Sequence, residues 1–202
     1  MASTAEEDCN AYITQMVPDA NHRQLMLNAL SRIVKASTRR VEGIRVYVFK
    51  GTGNNGKSTF MEFIRQTVGD AGVLVTEETL TSSLTTTLMD TISHKQLLFV
   101  EVANLSAINS LMKVLMSGNR VTCPVVGTAN RKEYAPKFDI IICTSSSFKP
   151  HPQHVVTIPF ELEFVDTPNP QNSKQHQKRS LSSNFSQWSP IFKQKLINGS
   201  YS

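Results

Sequence analysis

Residues 51–58 read GTGNNGKS, between a β-branched and aromatic run at 44–49 (IRVYVF) and a helix-forming run at 58–68. They satisfy the pattern G-x-x-x-x-G-K-[ST] in the strand, loop, helix context that gives the pattern its meaning. Glycines let the backbone turn tightly, so that successive N–H groups aim into one concavity, and the positive end of the following helix dipole reinforces it. Such a concavity suits the phosphates of a nucleoside triphosphate. Lys57 is expected to reach the β and γ phosphates and Ser58 to ligate Mg²⁺, while Gly51, Thr52, Gly53, Asn54, Asn55, Gly56 and Thr59 complete the cradle. The expected cofactors are therefore ATP and Mg²⁺.

A phosphate loop of this kind presupposes an α/β fold, and the rest of the chain supplies one. Gln96–Val100 is a continuous apolar run, as expected of a parallel strand buried on both faces, and Phe138–Cys143 is another. Val73–Thr76 reads as a short strand followed by a helical Thr/Ser/Leu-rich stretch, 107–116 as a helix, and His154–Phe164 as a final strand. Between them Arg120–Tyr134 reads as a hairpin with Gly127 near its turn, an insertion in an otherwise alternating order. Upstream, Leu25, Leu27, Leu30, Ile33 and Val34 mark a helical stripe within 5–36, and Pro18 splits it into two helices. Residues 166–187 turn to Asn, Gln, Ser, Pro and Lys, the signature of a linker, and 188–197 can form a short amphipathic helix. The expected organisation is an N-terminal helical segment at 1–43, a core at 44–165, and a linker with a short helix at 166–202.

Glu101 directly follows the apolar run, which puts it at the carboxyl end of a buried strand, where ligands gather in open α/β sheets. Mg²⁺ prefers oxygen ligands and keeps waters that must be held, so Glu101 is the candidate second metal group and general base. The plainer reading is an acid that merely ends a strand. Many NTPases carry two acids here, whereas Glu101 stands between Val100 and Val102. In Thr144–Ser147 one of four hydroxyls could orient an attacking water, or the cluster is an ordinary loop.

At 202 residues, 40% hydrophobic and 18% charged, the chain suits one α/β domain with appendages. Its net charge of +5 permits a polyanionic partner and equally describes a solvated surface. The three cysteines have neither zinc nor disulfide spacing, which fits a reducing compartment. No apolar run approaches the ~20 residues that span a bilayer, and the N-terminus lacks a signal-peptide pattern, so no membrane association and an intracellular location are expected.

Four stretches resemble superfamily 3 helicases, in particular the primase-helicases of large DNA viruses and phage. KGTGNNGKSTF (50–60) resembles the family's phosphate loop, LLFVE (97–101) its acidic motif, and MKVLMSGNRVTC with YAPKFDIIICTSS (112–146) its hairpin and third motif. IPFELEF (158–164), and more faintly WSPIFKQKLINGSY (188–201), resemble the closing strand and C-terminal helix. The resemblance implies an AAA+-like core, assembled as a hexameric ring, that moves along single-stranded DNA using ATP in viral DNA replication, at a nuclear or cytoplasmic replication site. It also implies that the hairpin lines the channel, with Arg120, Arg131 and Lys132 as phosphate contacts; without the resemblance these are solvated surface cations.

Two departures matter. The family's third motif ends in Asn, where this chain has Ser146, and the segment that carries the family's trans-acting arginine is here FKPHPQHVVT (148–157), without arginine. Loss of that arginine implies slow hydrolysis unless Lys149 or another residue substitutes. The expectation is thus an ATP-dependent helicase or translocase core, against a nucleotide-binding module that holds ATP and partners without efficient unwinding.

Overall fold

A computed structural model describes residues 4–35, 45–81, 85–103, 112, 114–115, 117, 119–125, 127–145, 155–177 and 181–201. Five strands form one parallel sheet: β1 (Val46–Lys50), β2 (Gly72–Thr76), β3 (Leu97–Glu101), β6 (Asp139–Thr144) and β7 (Val155–Pro159), in the order β2-β3-β6-β1-β7. The expected α/β architecture with a flanked parallel sheet is therefore present. The hairpin is there too, as β4 (Val121–Pro124) and β5 (Arg131–Tyr134), and the chain divides into two compact units.

The first unit comprises 1–38, 49–69 and 158–202. Its helices are α1 (Ala5–Met16), α2 (Ala20–Val34), α3 (Lys57–Val68) and, near the C-terminus, α6 (Phe185–Asn198). A capping box starts α1: Glu7 N–H donates to Thr4 Oγ1 at 3.2 Å and Thr4 N–H to Glu7 Oε2 at 2.7 Å. Pro18 ends the pattern as expected, Asp19 caps α2 by accepting from His22 N–H at 2.7 Å, and Arg23 donates to the Val17 and Pro18 carbonyls at 2.7 and 2.9 Å, clamping the bend. The core of this unit is aromatic: Phe63 of α3 stacks on Phe192 of α6 at 5.3 Å and meets Phe185 at 5.2 Å, while Tyr12 of α1 packs on Phe60, Phe63, Phe185 and Trp188. A buried bond from Ser31 Oγ to the Leu196 carbonyl, 2.7 Å, fixes α2 on α6.

The second unit comprises 39–48 and 70–157. In it β3 pairs with β2 and with β6 in parallel, and the expected apolar runs explain why: Leu97–Val100 and Ile140–Cys143 are buried throughout. The Thr/Ser/Leu-rich stretch holds two short helices, α4 (Glu77–Thr81) and α5 (Thr86–Ile92), the latter capped by Thr85. Leu88, Met89 and Ile92 of α5 join Val121, Cys123 and Tyr134 of the hairpin in the same core. Of the expected helix at 107–116, only Met112, Val114 and Leu115 lie within the described residues.

Three expectations change at the C-terminal end. The single strand expected at 154–164 is broken: β7 ends at Pro159, Phe160 N–H still donates to the Lys50 carbonyl at 2.7 Å, and the chain then leaves the sheet before β8 (Glu163–Val165). The stretch read as linker contains β9 (Gln175–Gln177), which pairs in parallel with β8 through Glu163 opposite Gln175. Its polar residues serve turns here: Asn169 N–H donates to Gln175 Oε1 at 2.9 Å and Gln171 N–H to Asn169 Oδ1 at 3.0 Å. A 3-10 turn at Ser182–Asn184 then leads into α6, so the last helix starts at Phe185 rather than at 188.

Candidate functional site

The loop after β1 has two residues in left-handed conformation, Asn54 (φ 56°) and Gly56 (φ 78°). Asparagine tolerates that region better than other side chains and glycine has no penalty there. Gly56 also has no room for more: a Cβ would stand 2.7 Å from Met16 Cε and 3.0 Å from Phe164 Cε2. At Gly51 a Cβ would meet Asn55 Nδ2 at 2.1 Å and the Phe160 carbonyl oxygen at 2.3 Å. Gly51 is therefore required by its close approach to backbone, and Gly56 by its left-handed conformation as well as by the side chains packed on it.

Lys57 opens α3 and is buried, its ammonium turned into the loop. Nζ donates to the Gly51 carbonyl at 2.8 Å, the Thr52 carbonyl at 2.7 Å and Asn55 Oδ1 at 2.7 Å. Those partners satisfy the three donors of an ammonium and keep its charge at the mouth of the helix N-terminus. The loop is fastened on its outer side as well, where Asn55 Nδ2 donates to the Phe160 carbonyl at 3.1 Å and Phe164 N–H to the Asn54 carbonyl at 2.7 Å. Thr52, Gly53 and Asn54 and, on the first turn of α3, Ser58 and Thr59 are exposed. All nine residues expected of the phosphate cradle thus lie in one loop and helix start, within the first unit.

This arrangement fits a triphosphate: a left-handed turn, a helix N-terminus, one ammonium, and glycine where a side chain would obstruct. Mg²⁺ bound with phosphates takes only one or two protein ligands and keeps its waters, a demand to which an exposed Ser58 hydroxyl is suited. Among the described residues no cluster of three or more His, Cys, Asp or Glu side chains could hold a metal by itself.

In the second unit Glu101 closes β3, exposed, level with Thr76 on β2 and Cys143 on β6. Beyond it Val102 N–H donates to the Cys143 carbonyl at 3.1 Å, and Ala103 N–H to Glu77 Oε2 at 3.2 Å. Glu77 was not singled out from the sequence, although it opens α4 directly after a short strand, the same signal that marked Glu101. Ser146 lies outside the described residues; Thr144, two positions earlier, is the buried end of β6.

The hairpin tip from Gly127 to Glu133 is exposed and turns through Gly127 (φ 77°), with Val125 N–H donating to the Asn130 carbonyl at 2.9 Å. Its three candidate cations differ. Arg120 pairs with Glu133 across the hairpin at 2.6 Å, and Lys132 pairs with Asp90 of α5 at 2.6 Å while lying 5.0 Å from the Tyr134 ring centroid. The Tyr134 hydroxyl also donates to Asp90, at 2.8 Å. Lys132 and then Tyr134 hold the Asp90 carboxyl below the usual carboxylate range. Arg131 is exposed and makes no ion pair among the described residues.

The fold is shared with solved structures of the C-terminal region of NrS-1. An A-form apo structure superposes with a TM-score of 0.64 at 11% identity, covering 97% of this chain and 45% of that one. A second A-form apo structure gives a TM-score of 0.66 at 12% identity, covering 95% and 47%, and a third apo structure gives 0.64 at 12%, covering 98% and 49%. At such identity the likeness is one of fold, and the chain spans about half the length of these chains. No family model matches the sequence. No curated protein matches it either.

Among the described residues no helix is long and apolar enough to cross a membrane.

Proposed function

We propose that the chain is the nucleotide-driven core of a helicase-like machine of DNA replication, which binds ATP with Mg²⁺ and moves along single-stranded DNA. The observation that carries this reading is the seating of Lys57 inside the 51–56 loop, its ammonium bonded to two loop carbonyls and Asn55. In this reading Lys57 exchanges those acceptors for β and γ phosphate oxygens, the loop N–H groups hold the phosphates, and Ser58 ligates Mg²⁺. Glu101 orients the attacking water and takes its proton, with Ser146 as a further water-orienting group. Arg120, Arg131 and Lys132 track the DNA backbone, and several copies join in a ring, the hexamer expected from the resemblance. The motif series at 50–60, 97–101 and 112–146 supports this reading, and the fold shared with the NrS-1 C-terminal region is compatible with it.

A second reading is favoured by a specific observation: Arg120 and Lys132 already have carboxylate partners, and 148–157 contains no arginine. In that reading the chain binds ATP and partners but turns it over slowly. Steady-state ATP hydrolysis with and without single-stranded DNA separates the two. DNA-stimulated turnover abolished by Lys57→Ala supports the motor; tight ATP binding with negligible turnover on any DNA supports the module.

A further inference from the structure

Beside the phosphate loop lies a cavity of about 200 Å³, with Asn54, Gly56 and Thr59 on one wall and Tyr12, Met16 and Phe164 on another. A second cavity of about 410 Å³ shares Tyr12 and Phe164 with it and adds Gln15 and His176. Leu181 lines both as well, so the two cavities adjoin as a near and a far lobe within the first unit.

We infer that this recess takes the nucleobase of the bound nucleotide, with Phe164 as its stacking face and the Gln15–His176 pair reading its polar edge. The inference rests on the phosphate-binding reading of the loop. With Lys57 on the β and γ phosphates and the backbone amides of the loop and helix start around the α and β phosphates, the nucleoside leaves the cradle from its α-phosphate end. Thr59, one residue beyond Ser58 on the first turn of the helix, lines the recess and joins it to the cradle.

The lobe beside the loop is mainly apolar and aromatic, while the far lobe sets Asp8, Gln15, His176 and Asn184 beside Tyr12, Phe164 and Trp188, an aromatic wall with placed polar groups of the kind a small-molecule site uses. Phe164 is tied to the loop itself, by its N–H on the Asn54 carbonyl at 2.7 Å and by the close approach of its ring to Gly56. The far lobe offers a readable edge: Gln15 Nε2 and His176 Nδ1 lie 3.2 Å apart, and the His176 ring is 6.2 Å from that of Phe164. An amide and an imidazole each combine donor and acceptor capacity, which is what the edge of a base requires.

The test compares ATP with inorganic tripolyphosphate, both with Mg²⁺, by calorimetry on the full chain. Wild type should bind ATP at least roughly tenfold more tightly than tripolyphosphate, and Phe164→Ala should lose about tenfold for ATP, the effect of one stacked base. Gln15→Ala and His176→Ala should weaken ATP by several-fold, and all three variants should leave tripolyphosphate affinity within about twofold of wild type. Phe164→Leu, which keeps apolar volume without the aromatic face, guards against a folding defect in the alanine variant. Equal loss of both ligands in Phe164→Leu, or no preference for ATP in wild type that still binds tripolyphosphate, would overturn the base pocket alone. Failure of wild type to bind either ligand would overturn the phosphate-loop reading and the pocket with it.

Discussion

The side-chain amide of Asn55 donates to the carbonyl of Phe160 at 3.1 Å, although 105 residues separate the two in sequence. Its oxygen at the same time accepts from Lys57 Nζ at 2.7 Å. One buried side chain therefore fixes the loop to the segment after β7 and supplies one of the three acceptors around the ammonium.

Removing it should cost both. Asn55→Ala leaves the Phe160 carbonyl without that donor and Lys57 with one acceptor fewer, a loss of about 1–3 kcal/mol of stability. Urea unfolding measures that loss. Asn55→Asp keeps an acceptor for Lys57 but sets a carboxylate oxygen against the Phe160 carbonyl, so it should not restore wild-type stability.

The two loop glycines at 51 and 53 should respond oppositely. Gly51→Ala forces a methyl to within 2.3 Å of a backbone oxygen, which a side-chain adjustment cannot relieve, so the loop must shift. At Gly53 nothing lies within 4 Å of the added Cβ, and Gly53→Ala should stay within about 0.5 kcal/mol of wild type. Thermal unfolding of the two variants decides this; comparable losses would contradict the close approach at Gly51.

Hairpin docking should weaken in acid. Asp90 has its folded-state pKa lowered, chiefly by the hydrogen bond from Lys132, so its contribution is present above the unfolded carboxylate value of about 3.9 and disappears as pH falls through the folded one. Hydrogen-exchange protection factors across 121–134 should therefore drop below about pH 4 in wild type, and Asp90→Asn should abolish that pH dependence. The same variant frees Lys132, and the salt dependence of single-stranded DNA binding should then steepen by about one phosphate, while Arg131→Ala should make it shallower by about one.

Glu101→Gln keeps the size and one acceptor of the side chain while removing its basicity. Turnover should fall by about a hundredfold or more with ATP still bound, measured as nucleotide retained on the protein after gel filtration. Unchanged turnover would remove Glu101 from the mechanism.

What could be read from the chain was what local chemistry encodes. Leu97–Val100 and Ile140–Cys143 are apolar at every position because both sheet faces are covered, and GTGNNGKS carries its own conformational demands in Asn54 and Gly56. Residues 166–177 read as linker because the β9 pairing comes from a partner 12 residues away and their Asn and Gln side chains cap turns that composition alone describes as linker. Lys132 looked like a free hairpin cation because Asp90, its partner, lies 42 residues away. The tie from Asn55 to Phe160, and the recess that Phe164 closes against Gly56, are likewise non-local and leave no spacing signature. Ser146 and most of 107–116 lie outside the described residues.

The most direct test is equilibrium binding of ATP in magnesium buffer to the purified chain, wild type beside Lys57→Ala. The account predicts saturable binding by wild type, one nucleotide per chain, weakened by at least about tenfold in Lys57→Ala, since a charge-assisted contact to phosphate is lost. Absence of ATP binding by wild type, or equal affinity in the two proteins, would contradict it.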